Sequence, residues 1–299
     1  MADSALCTPL FQASEDVFLK CEFLHPGRSH KARVARALIE DAEKRNAVFP
    51  GGSRILLERT GGNLGIALAI EARIRGYKLE LVTDPGYSAI KKGIAHRFGA
   101  TVIDRGVDYP DCQSNQDVID ILLDQSGKDY LYLNQFGNPA NPMAHEQGTG
   151  AEILAQLVGR GYGRNTPVIL VSGLGTGATM RGVSAALRTW FRRVLTFAVQ
   201  PASCDILRNK YSEHAFQGIA VGEPPPFYDV LLLDRVISVS ENEGMDAVRQ
   251  LARKYRFDVG PTSGANYAAL RHAREQARVE RAEDPIFVTF LYDRGEDYE

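Results

Sequence analysis

The sequence predicts an α/β protein of two doubly wound domains with mostly parallel sheets, and three observations carry that prediction. Short apolar runs alternate with helical patterns along most of the chain, as βαβ units do. Several of these runs end in turns rich in Gly, Ser, Thr and Asn, the places where open parallel sheets bind ligands. At 299 residues the chain has room for two domains, although one large α/β domain also accommodates this length.

Residues 17–24 read as a strand. His25-Pro-Gly-Arg28 breaks it, and Ser29 then caps a helix running to residue 44. A short buried strand at 55–57 leads into Glu58-Arg-Thr-Gly-Gly-Asn63 and a helix over 64–74. Strands at 79–82, 101–103 and 131–133 alternate with helices at 90–98 and 118–123. Asn138-Pro-Ala-Asn-Pro142 is a strong breaker and marks a domain crossing. The predicted domains are a smaller, mobile one over 36–137 and a larger one combining 1–35 with 138–299, with the ligand between them. In the second half, a helix over 144–158 precedes a strand from Val168 and a helix over 178–187. A strand at 194–199, a loop-rich region over 204–229 and a strand at 235–238 follow. Helices over 244–254 and from Ser263, and a last strand at 286–290, complete the pattern.

Composition narrows the function. Hydrophobic residues at 44% and charged residues at 24% are ordinary for a soluble enzyme. A net charge of −2 leaves no electrostatic footprint for nucleic acid or an anionic membrane. Cys7, Cys21, Cys112 and Cys204 are scattered, with no pair at metal-ligand spacing, so neither zinc nor a disulfide framework is expected. No apolar stretch reads as a signal peptide or a membrane span, and a cytoplasmic setting is the expectation.

The chain is organised around residues 168–182, an apolar β-branched run that breaks into Gly173, Gly175 and Gly177 before a helix resumes. Backbone N–H groups converge there at the positive end of a helix dipole. Thr176 and Thr179 add hydroxyls, and charge-assisted bonds from such donors favour a phosphate. A tight turn without ligand is the plainer alternative for any glycine cluster. A dinucleotide site wants a carboxylate ending the next strand, where Gln200-Pro201 stands instead, and no lysine follows the glycines as a Walker loop requires. A lone phosphate on a small cofactor fits better.

With these turns in hand, the chain resembles the pyridoxal-phosphate-dependent cysteine synthase and cystathionine β-synthase family, of fold type II and tryptophan synthase β-like architecture. The resemblance covers nearly the whole length. It rests on five ordered motifs: His25-Pro-Gly-Arg-Ser-His-Lys31, Thr60-Gly-Gly-Asn-Leu-Gly65, Asn134-Gln-Phe-Gly-Asn-Pro-Ala-Asn141, Gly175-Thr-Gly-Ala-Thr179 and Gly260-Pro-Thr-Ser-Gly-Ala265. It implies that Lys31 forms the Schiff base with pyridoxal 5'-phosphate and then takes the substrate α-proton, its ammonium disfavoured by the helix dipole. A solvated helix lysine is the alternative. The resemblance also implies that Gly175, Thr176, Gly177, Ala178 and Thr179 cradle the phosphate. Asn63 would meet the ring hydroxyl oxygen or cap its helix, and Thr262 would face the pyridine nitrogen or cap the last helix.

The substrate carboxylate is expected on the turn of Thr60, Gly61, Gly62 and Asn63, assisted by Gln135. Here the chain departs from cysteine synthases: Gly61 and Leu64 stand where Ser and Thr are usual, and Ala32 replaces a common Asp. Arg28 and Arg59 flank the lysine and the turn. They suggest an anionic partner, a phosphorylated leaving group or a nucleophile bearing carboxylates, or else are ordinary surface arginines. The Leu64 turn, Val82-Thr-Asp-Pro85 and Asn134-Gln135 also resemble the branch that joins O-phosphoserine to glutamate on the way to diaminopropionate. The implied reaction is β-replacement on an O-activated L-serine (O-acetylserine or O-phosphoserine) through an aminoacrylate, giving a β-substituted alanine such as cysteine. A dehydratase-type lyase and a non-catalytic, cofactor-holding partner protein are the alternatives. The expected partners are a small amino acid and a small nucleophile, in a homodimer, with no metal.

Overall fold

The computed structural model describes residues 7–125, 127–279 and 284–298. Its strands are β1 (Leu10–Ser14), β2 (Val17–Cys21), β3 (Ile55–Arg59), β4 (Leu79–Thr83), β5 (Thr101–Asp104), β6 (Tyr130–Tyr132), β7 (Val168–Gly173), β8 (Val194–Pro201), β9 (Arg235–Val239) and β10 (Ile286–Leu291). In the first half its helices are α1 (Lys31–Lys44), α2 (Asn63–Arg75), α3 (Ala89–Arg97), α4 (Arg105–Asp108) and α5 (Asn115–Gln125). Then come α6 (Ala140–Ala144), α7 (Ala151–Val158), α8 (Ala178–Arg188), α9 (Glu241–Tyr255) and α10 (Pro261–Val279). A π-helical turn, His145–Gly150, lies between α6 and α7.

The chain divides into two units. One comprises the chain up to His25 together with Pro142–Glu296; the other comprises Pro26–Asn141 and the residues from Asp297 on. The smaller unit thus takes in all of α1 instead of starting inside it at residue 36. The reason is packing: Val34, Ala35, Leu38 and Ile39 of α1 share one core with Leu56, Leu68 and Leu79, so the helix cannot be cut without opening that core.

The larger unit is built on a six-stranded sheet of order β1-β2-β10-β7-β8-β9. Only the β1–β2 hairpin is antiparallel; the other pairings are parallel. Alternate residues of β7 enter opposite cores. Ile169 and Val171 pack with Leu251, Ala265 and Ala269 of α9 and α10, while Val168 and Leu170 pack with Ile153, Met180 and Leu187 of α7 and α8. A strand buried on both faces reads as an unbroken apolar run, which is why the sequence shows it so clearly.

The smaller unit has a four-stranded parallel sheet, β5-β4-β3-β6. Leu57 and Val82 turn away from the α1–α2 core and meet Val118, Ile119 and Leu122 of α5. In each sheet a strand ends in a Gly-rich turn that opens a helix: β3 into Thr60–Gly62 and α2, β7 into the loop before α8. These are the carboxyl-end positions where such sheets bind ligands.

Two features escape the sequence pattern. β1 is a short edge strand whose register shifts between Gln12 and Ser14, and its polar alternate positions hide it. The helix expected over 144–158 is interrupted by the π turn, whose extra residue leaves no mark on the apolar periodicity. Among the described residues no helix is long and apolar enough to cross a membrane.

Candidate active site

The candidate residues form two sets, one in each unit. In the larger unit the loop between β7 and α8 owes its shape to two glycines. A Cβ on Gly175 would lie 2.2 Å from the carbonyl oxygen of Gly218, so the backbones approach too closely for any side chain. Gly177 sits in the left-handed region at φ +78° as the N-cap of α8. The N-cap residue, a glycine, makes no side-chain bond to that helix end, and N–H groups at such an end can serve a ligand. The loop is braced from outside: Ala220 N–H donates to Leu174 O at 2.8 Å and Phe227 N–H to Thr176 O at 3.0 Å. Thr176 is buried, and its hydroxyl oxygen accepts weakly from Ala178 N–H at 3.4 Å. The Thr179 hydroxyl lies 3.2 Å from Nε2 of His145.

Thr262 stands in the first turn of α10, buried, and its hydroxyl donates to the Gln217 carbonyl at 2.8 Å. A hydroxyl has one proton. In this geometry Thr262 therefore presents lone pairs only, and it must rotate off Gln217 before it can donate to a ring nitrogen.

In the smaller unit Lys31 is the first residue of α1, and its backbone N–H donates to the Ser29 hydroxyl at 3.3 Å. Burial pulls its amine down to about 8, while the charge of Glu58 acts in the opposite direction. The sequence pointed to the helix dipole as the cause; burial is the larger one. Glu58 was not singled out from the sequence. It is fully buried at the inner end of β3, and burial raises its carboxyl to about 8. Its two oxygens accept from Arg59 N–H at 3.0 Å and Gln135 N–H at 3.1 Å. The carboxylate thus ties the end of β3 to the Asn134-Gln135 turn. A lone acid in the apolar strand Ile55-Leu-Leu-Glu58 was the available signal.

The expected carboxylate turn follows at once. Gly62 N–H reaches the Thr60 hydroxyl at 3.4 Å. Gly62 is the N-cap of α2 and no side chain caps it, so Asn63 does not serve as the cap. Gly61 is small for a local reason: a Cβ there would lie 2.5 Å from Cγ of Tyr87, whose ring covers the turn. Leu64 is a core residue among Ala35, Leu68 and Leu81. Gln135 spends one side-chain N–H on Arg59 O at 3.2 Å, and its own carbonyl accepts from Asn141 at 2.8 Å.

The two arginines separate. Arg28, at φ +71°, is paired with the buried Asp297, its Nε 3.0 Å from Oδ1. That internal carboxylate already balances its charge. Arg59 lies over the Phe136 ring, 4.3 Å from its centroid, and remains beside the turn.

A family model described as pyridoxal-phosphate dependent enzyme matches residues 3–290. The chain belongs to that family. It is 31% identical to a cysteine synthase of Staphylococcus aureus over 288 residues, covering 95% of this chain and 87% of the relative. It is also 31% identical to the O-ureido-L-serine synthase of Streptomyces lavendulae over 283 residues, 94% of this chain and 83% of that one. Among solved structures, a hydrogen sulfide-producing enzyme from Fusobacterium nucleatum superposes with a TM-score of 0.85 at 29% identity, covering 100% of this chain and 98% of that one. The cysteine-synthase-like resemblance and the α/β fold are borne out.

The residues present suit the family's cofactor. Pyridoxal phosphate needs an amine that can lose its proton near neutral pH, and desolvation brings Lys31 toward that range, down to about 8. It also needs a close backbone cradle for an anion, which Gly175 and Gly177 provide at the end of β7. Capture of the cofactor by cofactor-free protein requires the neutral amine, so its rate is expected to rise as pH passes upward through about 8. Glu58→Gln removes the charge that holds a proton on Lys31, so the midpoint should move to lower pH; an unmoved midpoint would contradict the pairing.

Proposed function

We propose that this pyridoxal-phosphate enzyme carries out β-replacement on an O-activated L-serine, with Lys31 as its catalytic residue. The observation that carries the reading is the half-buried Lys31 at the head of α1, whose amine desolvation lowers to about 8. Bound pyridoxal phosphate supplies the electron sink that lets a proton leave the α-carbon and a substituent leave the β-carbon. Lys31 would hold the cofactor's aldehyde through its Nζ, and the same nitrogen, when free, would take the substrate α-proton. Gly175, Thr176, Gly177, Ala178 and Thr179 hold the phosphate through backbone N–H groups and hydroxyls. Asn63 lies against the ring hydroxyl oxygen. Thr262 would be the ring-nitrogen neighbour: turned off Gln217, its neutral hydroxyl would donate to that nitrogen and leave it unprotonated, a weaker sink than a carboxylate partner gives, which suits β-substituent loss.

The substrate carboxylate rests on the backbone of Thr60, Gly61, Gly62 and Asn63. Glu58 keeps that turn and Gln135 in register by accepting from both strands of the connection. With Gly61 covered by Tyr87 and Leu64 in the core, the two usual side-chain hydroxyls are gone and backbone donors do more of the binding. A homodimer in a reducing cytosol fits this reading, in line with the free thiols of Cys21, Cys112 and Cys204.

The test offers O-acetyl-L-serine and O-phospho-L-serine to the holoenzyme, each with sulfide or a small amine. The expected outcome is donor consumption that yields a β-substituted alanine and depends on the nucleophile. Pyruvate and ammonia formed equally well without nucleophile would overturn the reading in favour of elimination. Arg59, stacked over Phe136 next to the turn, is expected to favour the phosphorylated donor. Arg59→Ala should raise KM about tenfold more for O-phosphoserine than for O-acetylserine; equal effects would remove Arg59 from donor selection.

A further inference from the structure

The π turn places a buried imidazole behind the phosphate loop. His145 and Thr149 are both fully buried, and Nδ1 of His145 lies 3.1 Å from the Thr149 hydroxyl. The other ring nitrogen, Nε2, lies 3.2 Å from the Thr179 hydroxyl in the first turn of α8. Two glycines bring α8 close enough for this. A Cβ on Gly182 would lie 2.6 Å from Glu146 N and 2.8 Å from His145 Cβ, and one on Gly150 would lie 2.6 Å from Ala186 Cβ. The π turn itself, an insertion that often marks a working segment of a helix, carries both His145 and Thr149.

We propose that His145 is a positioning residue for the cofactor: together with Thr149 it aims the Thr179 hydroxyl proton at the phosphate. This rests on the reading that the loop after β7 holds that phosphate. The direction of the chain follows from counting protons. A neutral imidazole has one N–H and one acceptor nitrogen, and each threonine hydroxyl has one proton. A phosphate oxygen takes the Thr179 proton because a charge-assisted bond is roughly twice as strong as a neutral one. Thr179 can then only accept from the ring, so the imidazole proton must be on Nε2. Nδ1 becomes the acceptor, and Thr149 donates to it. With the loop empty the Thr179 proton is released from the phosphate, and Thr179 is able to donate to Nε2 with the ring proton on Nδ1. Cofactor binding therefore selects one tautomer, and by reciprocity that tautomer tightens cofactor binding.

The test combines NMR of the wild-type holoenzyme with binding by variants. In ¹⁵N spectra of the holoenzyme, His145 should be protonated on Nε2 and not on Nδ1; a proton on Nδ1 would overturn the proposal without any mutation. His145→Gln keeps a donor near the Nε2 position, whereas His145→Leu keeps none. The dissociation constant for pyridoxal phosphate should rise about tenfold in His145→Leu and less than about threefold in His145→Gln, with a matching order of ³¹P shifts for the bound phosphate. Equal losses in both variants would overturn the relay. Thr179→Val separates the two layers of the argument. If it leaves the ³¹P signal and cofactor affinity unchanged, the phosphate reading of the loop fails. If it changes both by the same amount whether position 145 is His or Leu, only the coupling through His145 fails.

Discussion

Two ionisable groups that feel each other's charge, the half-buried Lys31 and the fully buried Glu58, are what the rest of the smaller unit is arranged to support. Burial drives the amine of one down and the carboxyl of the other up until both titrate at about 8. Holding an ionisable pair of this kind inside a fold is weak as a stabilising device compared with well-packed apolar residues. Its retention is better explained by chemistry: an amine that changes charge near neutrality is what a carbonyl cofactor requires. Two backbone N–H groups hold Glu58 in place. One of them belongs to Arg59, just before the carboxylate turn, and the other to Gln135, so the group that tunes the lysine also sets the turn.

The same economy governs the glycines. Gly177 answers a backbone demand, a positive φ at a helix cap. Gly175 and Gly61 answer a demand for space, one against the Gly218 carbonyl and the other against the Tyr87 ring. At Gly61 this changes chemistry as well as packing. A serine could not be placed there unless Tyr87 moved, so the loss of a hydroxyl from the turn and the presence of the ring are one structural event.

Much of this was legible in the sequence, and the reasons differ from residue to residue. β7 is buried on both faces, so its apolar run and the glycines beyond it announce strand, turn and helix without ambiguity. Lys31 was visible only through its motif, because a lysine at a helix start looks like any solvated lysine until burial is known. Glu58 broke an apolar strand yet passed unremarked, since an acid at a strand end is ordinarily exposed. The pairing of Arg28 with Asp297 joins residues 269 positions apart, a separation that no local pattern records. The His145 contact depends on a π turn, whose single extra residue is silent in hydrophobic periodicity.

The most direct test of the central claim is to reduce the holoenzyme with borohydride, digest it and map the modified peptide by mass spectrometry. The account predicts a phosphopyridoxyl group on Lys31 and on no other lysine. The same label on Lys20, Lys91 or any other lysine, with Lys31 unmodified, would contradict it.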